Sequence, residues 1–451
     1  MLHERLDAER ANTMHFLLTV LLLSALVPQH PLGQRRARAP VLNTRPNVVV
    51  VVADDFGVDL ARAYGEGAAP PCMPNLDALA AGGLLFRNAW GSPMCSPARA
   101  ALLTGRHGFR TGIGEQVSQA EPGLPLAETT LPELLAGYSS SCVGKWHLSG
   151  NLGNAHPNQS GFGHYSGALR GELTDYSQWM KVTNGQAATS TTYATTDTVN
   201  DAIARMTSMP EPWFLYVAFN APHAPFHVPP SGLCAAPACA STWCGSVNAG
   251  SSNRDKAKAA AEVMDAELGR LLAALAVEDP SAYVFFLGDN GTAAQVSEAP
   301  FLPSHAKDTL YEGGINVPLV VRGPGVAIGQ CDALVSCADL FATIAELAGV
   351  ATTAEDSISF APCFANPSAR PRTTVYAETF TPNGGTLPFT THRRAVRDAR
   401  YKLIRSTGQS DELYDLLFDP FETQNLLPGL TSAEQQAYTD LQAELAALGV
   451  G

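Results

Sequence analysis

The sequence predicts an α/β fold: a large, mostly parallel or mixed sheet flanked by helices, followed by a smaller C-terminal α+β domain. Three observations carry this prediction. Short apolar runs occupy residues 47–53 (NVVVVVA), 213–219 (WFLYVAF), 283–287 (YVFFL) and 317–321 (VPLVV). Near-continuous runs of that length suit parallel strands buried on both faces. Helical patterns lie between them, and strands alternating with helices imply a mostly parallel sheet. After Pro371 the pattern changes to short alternating stretches.

The elements follow in chain order. Residues 16–27 (FLLTVLLLSALV) hold ten apolar residues in twelve, preceded by Arg5 and Arg10. Twelve is too short to cross a bilayer, which takes about 20 residues, but suits the apolar core of a secretory signal. Residues 1–39 are therefore expected to direct export, to a secreted, periplasmic or lumenal site, with no stable membrane span. An uncleaved anchor is the minor alternative, and Met14 is a second candidate start. Residues 197–206, 254–277 and 338–348 are predicted helices. The second places Val263, Leu268, Leu271, Leu272 and Leu275 on one stripe. Residues 373–378, 394–397 and 401–405 suit antiparallel strands, and 435–448 a closing amphipathic helix. The expected division is a signal region at 1–39, a large α/β domain at 40–364 and a C-terminal antiparallel-sheet subdomain at 365–451.

Composition narrows the function. The 451 residues are 45% hydrophobic and 16% charged, with a formal net charge of −13. Nucleic acid is excluded as the main partner, because phosphate-backbone binding needs a basic footprint. No repeat with a period of 20–50 residues stands out, which disfavours a solenoid or propeller.

Each of the first three runs ends in polar residues: Asp54 and Asp55 after the first, Asn220 and His223 after the second, Asp289 and Asn290 after the third. In an open parallel sheet, ligands bind beyond the carboxyl ends of the strands. Asp54, Asp55, Asp289 and Asn290 are hard oxygen donors, which suit calcium or magnesium rather than zinc. Residues 95–105 (CSPARAALLTG) then predict a helix with Pro97 at an early position, where a missing N–H is harmless. Cys95 would sit at its positive N-terminus, with Arg99 one turn along the same face.

The stretch from Cys95 to Gly105 resembles the signature of type I sulfatases, the formylglycine-dependent family on the alkaline-phosphatase-like fold. The resemblance extends over residues 144–148 (GKWHL), 222–225 (PHAP), 289–291 (DNG), Lys307 ahead of 311–314 (YEGG), and 394–397, 401–403 and 412–416 near the end. It implies that a formylglycine-generating enzyme oxidises Cys95 to an aldehyde, which hydrates so that one hydroxyl attacks sulfur. Asp54, Asp55, Asp289 and Asn290 would then hold one Ca2+, or Mg2+. Arg99 would orient the hydrated aldehyde. Lys145 and Lys307 would bind sulfate oxygens. His147 would help expel sulfate, and His223 would protonate the leaving alcohol. Ser96 and Pro97 would serve recognition by the maturing enzyme, and Ser177 would correspond to a family serine that contacts the site.

The expected activity is hydrolysis of a sulfate ester to alcohol and inorganic sulfate. The substrate would be a small-molecule sulfate ester or a sulfated carbohydrate. The competing readings are a phosphate or phosphonate ester hydrolase of the same superfamily and a non-catalytic secreted binding protein.

Cysteines number nine. With Cys95 set aside, eight remain, an even set that allows up to four disulfides in an exported chain. Local spacing suggests Cys331 with Cys337. Residues 231–252 hold Cys234, Cys239 and Cys244 and form a segment expected to overhang the crevice as a stapled rim.

Overall fold

The computed structural model describes residues 45–234 and 242–450. The predicted export signal at 1–39 and Cys239 lie outside the described residues. Among the described residues, ten strands form one sheet. In chain order they are β1 (Val48–Ala53), β2 (Leu84–Trp90), β3 (Ser139–Gly144), β4 (His164–Gly167), β5 (Trp179–Thr183), β6 (Gln186–Ser190), β7 (Trp213–Ala218), β8 (Tyr283–Gly288), β9 (Leu319–Arg322) and β10 (Gly329–Ser336). Their spatial order is β10-β2-β9-β8-β1-β7-β3-β4-β5-β6.

The centre of this sheet, β8-β1-β7-β3-β4, is parallel throughout. β1 shows why its sequence has no alternation. Val48, Val50 and Val52 enter one apolar cluster, and Val49, Val51 and Ala53 enter another. Successive side chains of a strand point to opposite faces, so a strand covered on both sides must be apolar at every position. Full burial of such a valine contributes about 1.5 kcal/mol or more.

Helices cover both faces. Among the described residues, six have eight residues or more: α1 (Pro74–Ala81), α2 (Cys95–Thr104), α3 (Ala194–Ser208), α4 (Asn253–Glu278), α5 (Asp339–Leu347) and α6 (Ser432–Ala447). α2 and α5 pack into the first cluster, whereas α1, α3 and α4 pack into the second. The predicted stripe on α4 is buried at Val263, Leu268, Leu271 and Leu275, with Leu272 partly buried.

One expectation is corrected. The run at 317–321 suits a parallel strand, but β9 pairs antiparallel with both β2 and β8. A strand enclosed by neighbours and covered by helices is apolar whichever way it runs, so composition carries no direction.

A second sheet follows: β11 (Val375–Thr381), β12 (Thr391–Arg397), β13 (Tyr401–Ser406) and β14 (Glu412–Asp415), all antiparallel neighbours. One face carries Val375, Ala377, Ala395 and Ile404 against Trp90 and Leu334 of the large sheet. The other carries Tyr376, Val396 and Leu403 against Ala437, Leu441 and Leu445 of α6. α6 opens with a capping box, Thr431 with Glu434.

A buried ion network joins the two sheets. Lys402, fully buried on β13, places Nζ 3.0 Å from Glu312 and 2.7 Å from Glu422. Glu312 also accepts from Trp90 Nε1 at 3.2 Å. Burial pushes the Glu422 carboxyl up to about 7, Lys402 opposes the rise, and Glu312 adds to it. A carboxyl that is harder to ionise folded than unfolded contributes stability that is full below its unfolded value near 4.3 and lost as pH rises through about 7. Glu422→Gln, permanently neutral, is expected to flatten that loss. Melting temperatures of variant and wild type should diverge in the variant's favour between about pH 5 and 8, and parallel curves would refute the assignment.

Two disulfide expectations are settled differently. Cys234 and Cys244 are bonded, and Cys72 is also in a disulfide. Cys142, Cys331, Cys337 and Cys363 are buried thiols, so the eight do not all pair. Cys331 lies on β10 and Cys337 just beyond its far end. Six residues of strand span about 20 Å, well outside the reach of a disulfide. The neighbour of Cys331 is instead the Cys363 thiol.

Trp243 and Cys244, in the described part of the 231–252 segment, are tied down through Glu262 of α4. Its carboxylate accepts from the backbone N–H groups of Trp243 at 3.0 Å and Cys244 at 2.7 Å, and from that of Cys72 at 3.0 Å. Lys258 stacks over Trp243 at 4.4 Å.

Candidate active site

β1, β7, β8 and β3 run parallel, so their carboxyl ends open on one edge of the sheet. β1 delivers Asp54 and Asp55, β8 delivers Asp289 and Asn290, β7 leads to Asn220 and His223, and β3 leads to Lys145 and His147. α2 begins at Cys95, and its C-cap is Gly105 in the left-handed region at φ 67°. All ten α2 residues are buried.

Turning off the strands requires unusual backbone. Asp55 and His147 both have φ of 59°. Left-handed backbone is uncommon outside glycine, and such strain clusters at functional sites. Gly144 at φ 95° ends β3 so close to β7 that a Cβ would lie 1.8 Å from the Ala218 carbonyl oxygen. Only glycine lets Lys145 turn into the cluster there.

The predicted residues converge. Cys95 Sγ lies 3.3 Å from Asp54 Oδ1, 3.8 Å from Asp55 Oδ1 and 3.4 Å from Lys145 Nζ. Lys145 Nζ pairs with Asp54 Oδ2 at 2.5 Å. Arg99 donates to Asp289 Oδ2 at 2.8 Å through Nη2 and to the Lys145 carbonyl at 2.9 Å through Nη1. Lys307 Nζ pairs with Asp55 Oδ1 at 2.7 Å. His223 Nε2 is 3.8 Å from Asp55 Oδ2, and the other ring nitrogen, Nδ1, lies 2.8 Å from the Ala224 carbonyl. Nδ1 therefore carries the hydrogen in neutral His223, which leaves Nε2 as the free ring nitrogen.

The donor set fits a hard cation. Ligand atoms of Asp54, Asp55, Cys95 and Asp289 all lie within 4.8 Å of one another. Asn290 donates through Nδ2 to Asp55 at 2.8 Å, and its Oδ1 is buried with no hydrogen-bond partner. A buried carbonyl oxygen without a donor, beside three carboxylates, is compatible with a hard divalent cation.

Electrostatics separate the carboxylates. Burial raises Asp54, but Lys145, His223 and Arg99 outweigh it and hold the carboxyl well below the usual range. Asp289 is pushed up to about 6, by burial first and then by Asp54. Burial lifts the Cys95 thiol well above its ordinary value, and Asp54 lifts it further. Burial lowers His147 strongly, and Lys145 and Arg99 lower it further. Its Nδ1 is buried with no hydrogen-bond partner.

Two contributors escape the motif reading. Ser96 donates to the His147 carbonyl at 2.8 Å and accepts from Val117 N–H at 3.0 Å, so it braces the turn that carries His147. Ser177 is exposed and does not reach the cluster, whereas its neighbour Tyr176 is buried and bonds the His223 turn. No local pattern signalled Tyr176, which lies among bends between the exposed Asp175 and Ser177. His227 sits apart from the carboxylates, bonded to the Pro225 carbonyl at 2.9 Å and to Tyr193 Oη at 2.8 Å.

Known proteins resemble this chain in sequence and fold. The Sulfatase family model matches residues 46–350, and the model for the C-terminal part of N-sulphoglucosamine sulphohydrolase matches 304–449. N-acetylgalactosamine-6-sulfatase from Homo sapiens is 34% identical over 358 residues, which is 69% of this chain and 64% of that one. This chain thus spans just under two thirds of the length of that relative. Arylsulfatase A from Homo sapiens is 28% identical over 88% of this chain and 86% of its own. The crystal structure of Ps i-CgsB in complex with a neocarrahexaose has a TM-score of 0.74 at 24% identity, covering 90% of this chain and 92% of that one. A protein crystallised with its substrate D-glucosamine-2-N,6-O-disulfate has a TM-score of 0.71 at 19% identity, covering 89% and 98%. Both likenesses concern the fold. The Sulfatase match begins two residues before β1 and ends beyond α5, so it spans every strand that feeds the cluster, and the chain belongs to the sulfatase family.

Proposed function

We propose that this protein hydrolyses a sulfate ester to an alcohol and inorganic sulfate, with a sulfated carbohydrate as the substrate class. One observation carries the reading: Cys95 opens a buried helix beside three carboxylates, two lysines and an arginine. Relatives named for N-acetylgalactosamine 6-sulfate support the carbohydrate.

In this reading Cys95 is the precursor of a formylglycine made by a formylglycine-generating enzyme, and its hydrated aldehyde supplies the hydroxyl that attacks sulfur. Asp54, Asp55, Asp289 and Asn290 would hold a calcium ion, which when bound polarises the S–O bonds and offsets the carboxylate charge. The rest falls to the chain. Lys145 and Lys307 bind the sulfate oxygens as compact point charges. Arg99, held by Asp289, orients the side chain at position 95. His223, when protonated on both ring nitrogens, gives its Nε2 proton to the leaving oxygen and returns to the neutral form that keeps Nδ1–H on Ala224. His147, whose Nδ1 is buried with no hydrogen-bond partner, accepts a proton when sulfate is released.

We further place the protein outside the cytoplasm, on the strength of residues 1–39; no helix among the described residues is long and apolar enough to cross a membrane. The catalytic domain is taken to end near residue 364, between the mixed sheet and the antiparallel one.

Aryl sulfates, sulfated sugars and aryl phosphates, offered to matured protein, test the reaction class. Sulfate esters should turn over at least about a hundredfold faster than matched phosphates. Preferential phosphate or phosphonate turnover would favour the phosphorus-ester alternative and contradict the proposal.

A further inference from the structure

The segment after β4 does more than connect strands. Leu169 accepts from His147 N–H through its carbonyl at 3.2 Å, and Gly171 packs so tightly that a Cβ would meet the His147 ring at 2.3 Å. Five residues further on, Tyr176 is 2% exposed and points inward. Its hydroxyl lies 2.5 Å from the Asn220 carbonyl and 2.8 Å from the His223 carbonyl. These two carbonyls bracket the turn that presents His223. A phenol has one proton, shared here between two acceptors at the two ends of one turn. The same turn is bonded to the metal-ligand strand, since Asp54 N–H donates to the Ala221 carbonyl at 3.2 Å.

The Tyr176 ring is itself fixed. His227 stacks on it at 4.2 Å between centroids, tilted by 24°. His227 Nδ1 lies 2.9 Å from the Pro225 carbonyl and its Nε2 lies 2.8 Å from Tyr193 Oη. Both His227 nitrogens are thus committed, with Nδ1–H donating and Nε2 accepting. The turn at 220–227 is therefore held by its own histidine on one side and by Tyr176 on the other.

We propose that Tyr176 is a positioning residue for leaving-group protonation: its hydroxyl, bridging the Asn220 and His223 carbonyls, fixes the direction in which His223 Nε2 faces, with the His227 ring as its backing. The inference rests on the reading of His223 as the acid. An acid must sit within hydrogen-bond reach of the oxygen it protonates, and small misplacement costs rate without unfolding the protein. Tyr176→Phe keeps the ring, its packing and its stack on His227, and removes only the bridging hydroxyl.

The test uses matured full-length protein and a series of substituted phenyl sulfates, from nitrophenyl to methoxyphenyl. An acidic phenol leaves without help, whereas a weakly acidic one needs the proton. His223→Ala should lower kcat/KM for the weakly acidic phenols about a hundredfold more than for the acidic ones. Tyr176→Phe should steepen the same dependence in the same direction, by about tenfold across the series, and mainly in kcat. Added to His223→Ala, it should cost no further selectivity, because the two act through one group.

A Tyr176→Phe variant that slows every substrate equally, or not at all, while His223→Ala steepens the series, overturns the positioning role and leaves His223 as the acid. A series that His223→Ala leaves unchanged overturns the acid assignment itself, and the inference with it. Melting temperature and calcium-induced stabilisation, measured alongside, separate misfolding from misplacement.

Discussion

Cys95→Ala is expected to abolish sulfate-ester turnover, by roughly 10^4-fold or more, while the protein folds and melts close to wild type. Loss of a nucleophile removes the covalent path, and only binding and electrostatic contributions remain. The fold should tolerate the change because the groups that bond Cys95 Sγ keep other partners: Asp54 and Lys145 keep each other, and Asp55 keeps Lys307. The cost to stability should be about 1 kcal/mol, a shift of about one degree in melting temperature for a chain of this length. Turnover by the alanine variant within tenfold of wild type would show that the helix N-terminus is not where bond breaking happens.

Asp54→Asn is expected to have the second-largest effect, and on two readouts. Asp54 is fully buried and pairs with Lys145 at 2.5 Å, with Arg99 Nη2 a further 3.6 Å away. Removing one partner of a buried pair costs about 3–5 kcal/mol, because the remaining charge has nowhere to go. Arg99 keeps Asp289, so the loss falls chiefly on Lys145. The second readout is calcium. A ligand that binds only the folded state stabilises it by about 2.7 kcal/mol at a hundred times its dissociation constant. Wild-type protein stripped with a chelator should lose activity and melt lower, and calcium should restore both. Asp54→Asn should show neither the activity nor the calcium-dependent rise. A wild type whose melting temperature ignores both chelator and calcium would remove the metal site from the account.

The central sheet and the cluster were legible because their signals are local. β1, β7 and β8 appear as unbroken apolar runs, and the polar residues that end them are adjacent in sequence. Once three runs are parallel neighbours, topology brings Asp54, Asp55, Asp289, Asn290 and His223 to one edge. α2 was legible from Pro97 and Gly105 at its two ends.

What escaped depends on pairing across long distances. The direction of β9 is set by its neighbours and leaves no mark on its composition. The β5–β6 hairpin is half exposed, with Gln186, Ala187, Ala188 and Thr189 all outside the core, so no apolar run announces it. Lys402, Glu312 and Glu422 are charged residues that hydropathy assigns to the surface, yet they are buried because each satisfies the others. Tyr176 and Ser96 act through hydroxyl bonds to backbone carbonyls 44 to 51 residues away, a kind of contact that no spacing rule encodes. The thiols of Cys331 and Cys363 meet across the fold rather than along the chain.

The most direct measurement is mass spectrometry of the peptide containing Cys95, taken from protein isolated from its native host. The account predicts the mass of an aldehyde in place of the thiol, and its reaction with a hydrazide probe. An unmodified Cys95 in protein that hydrolyses sulfate esters would contradict it.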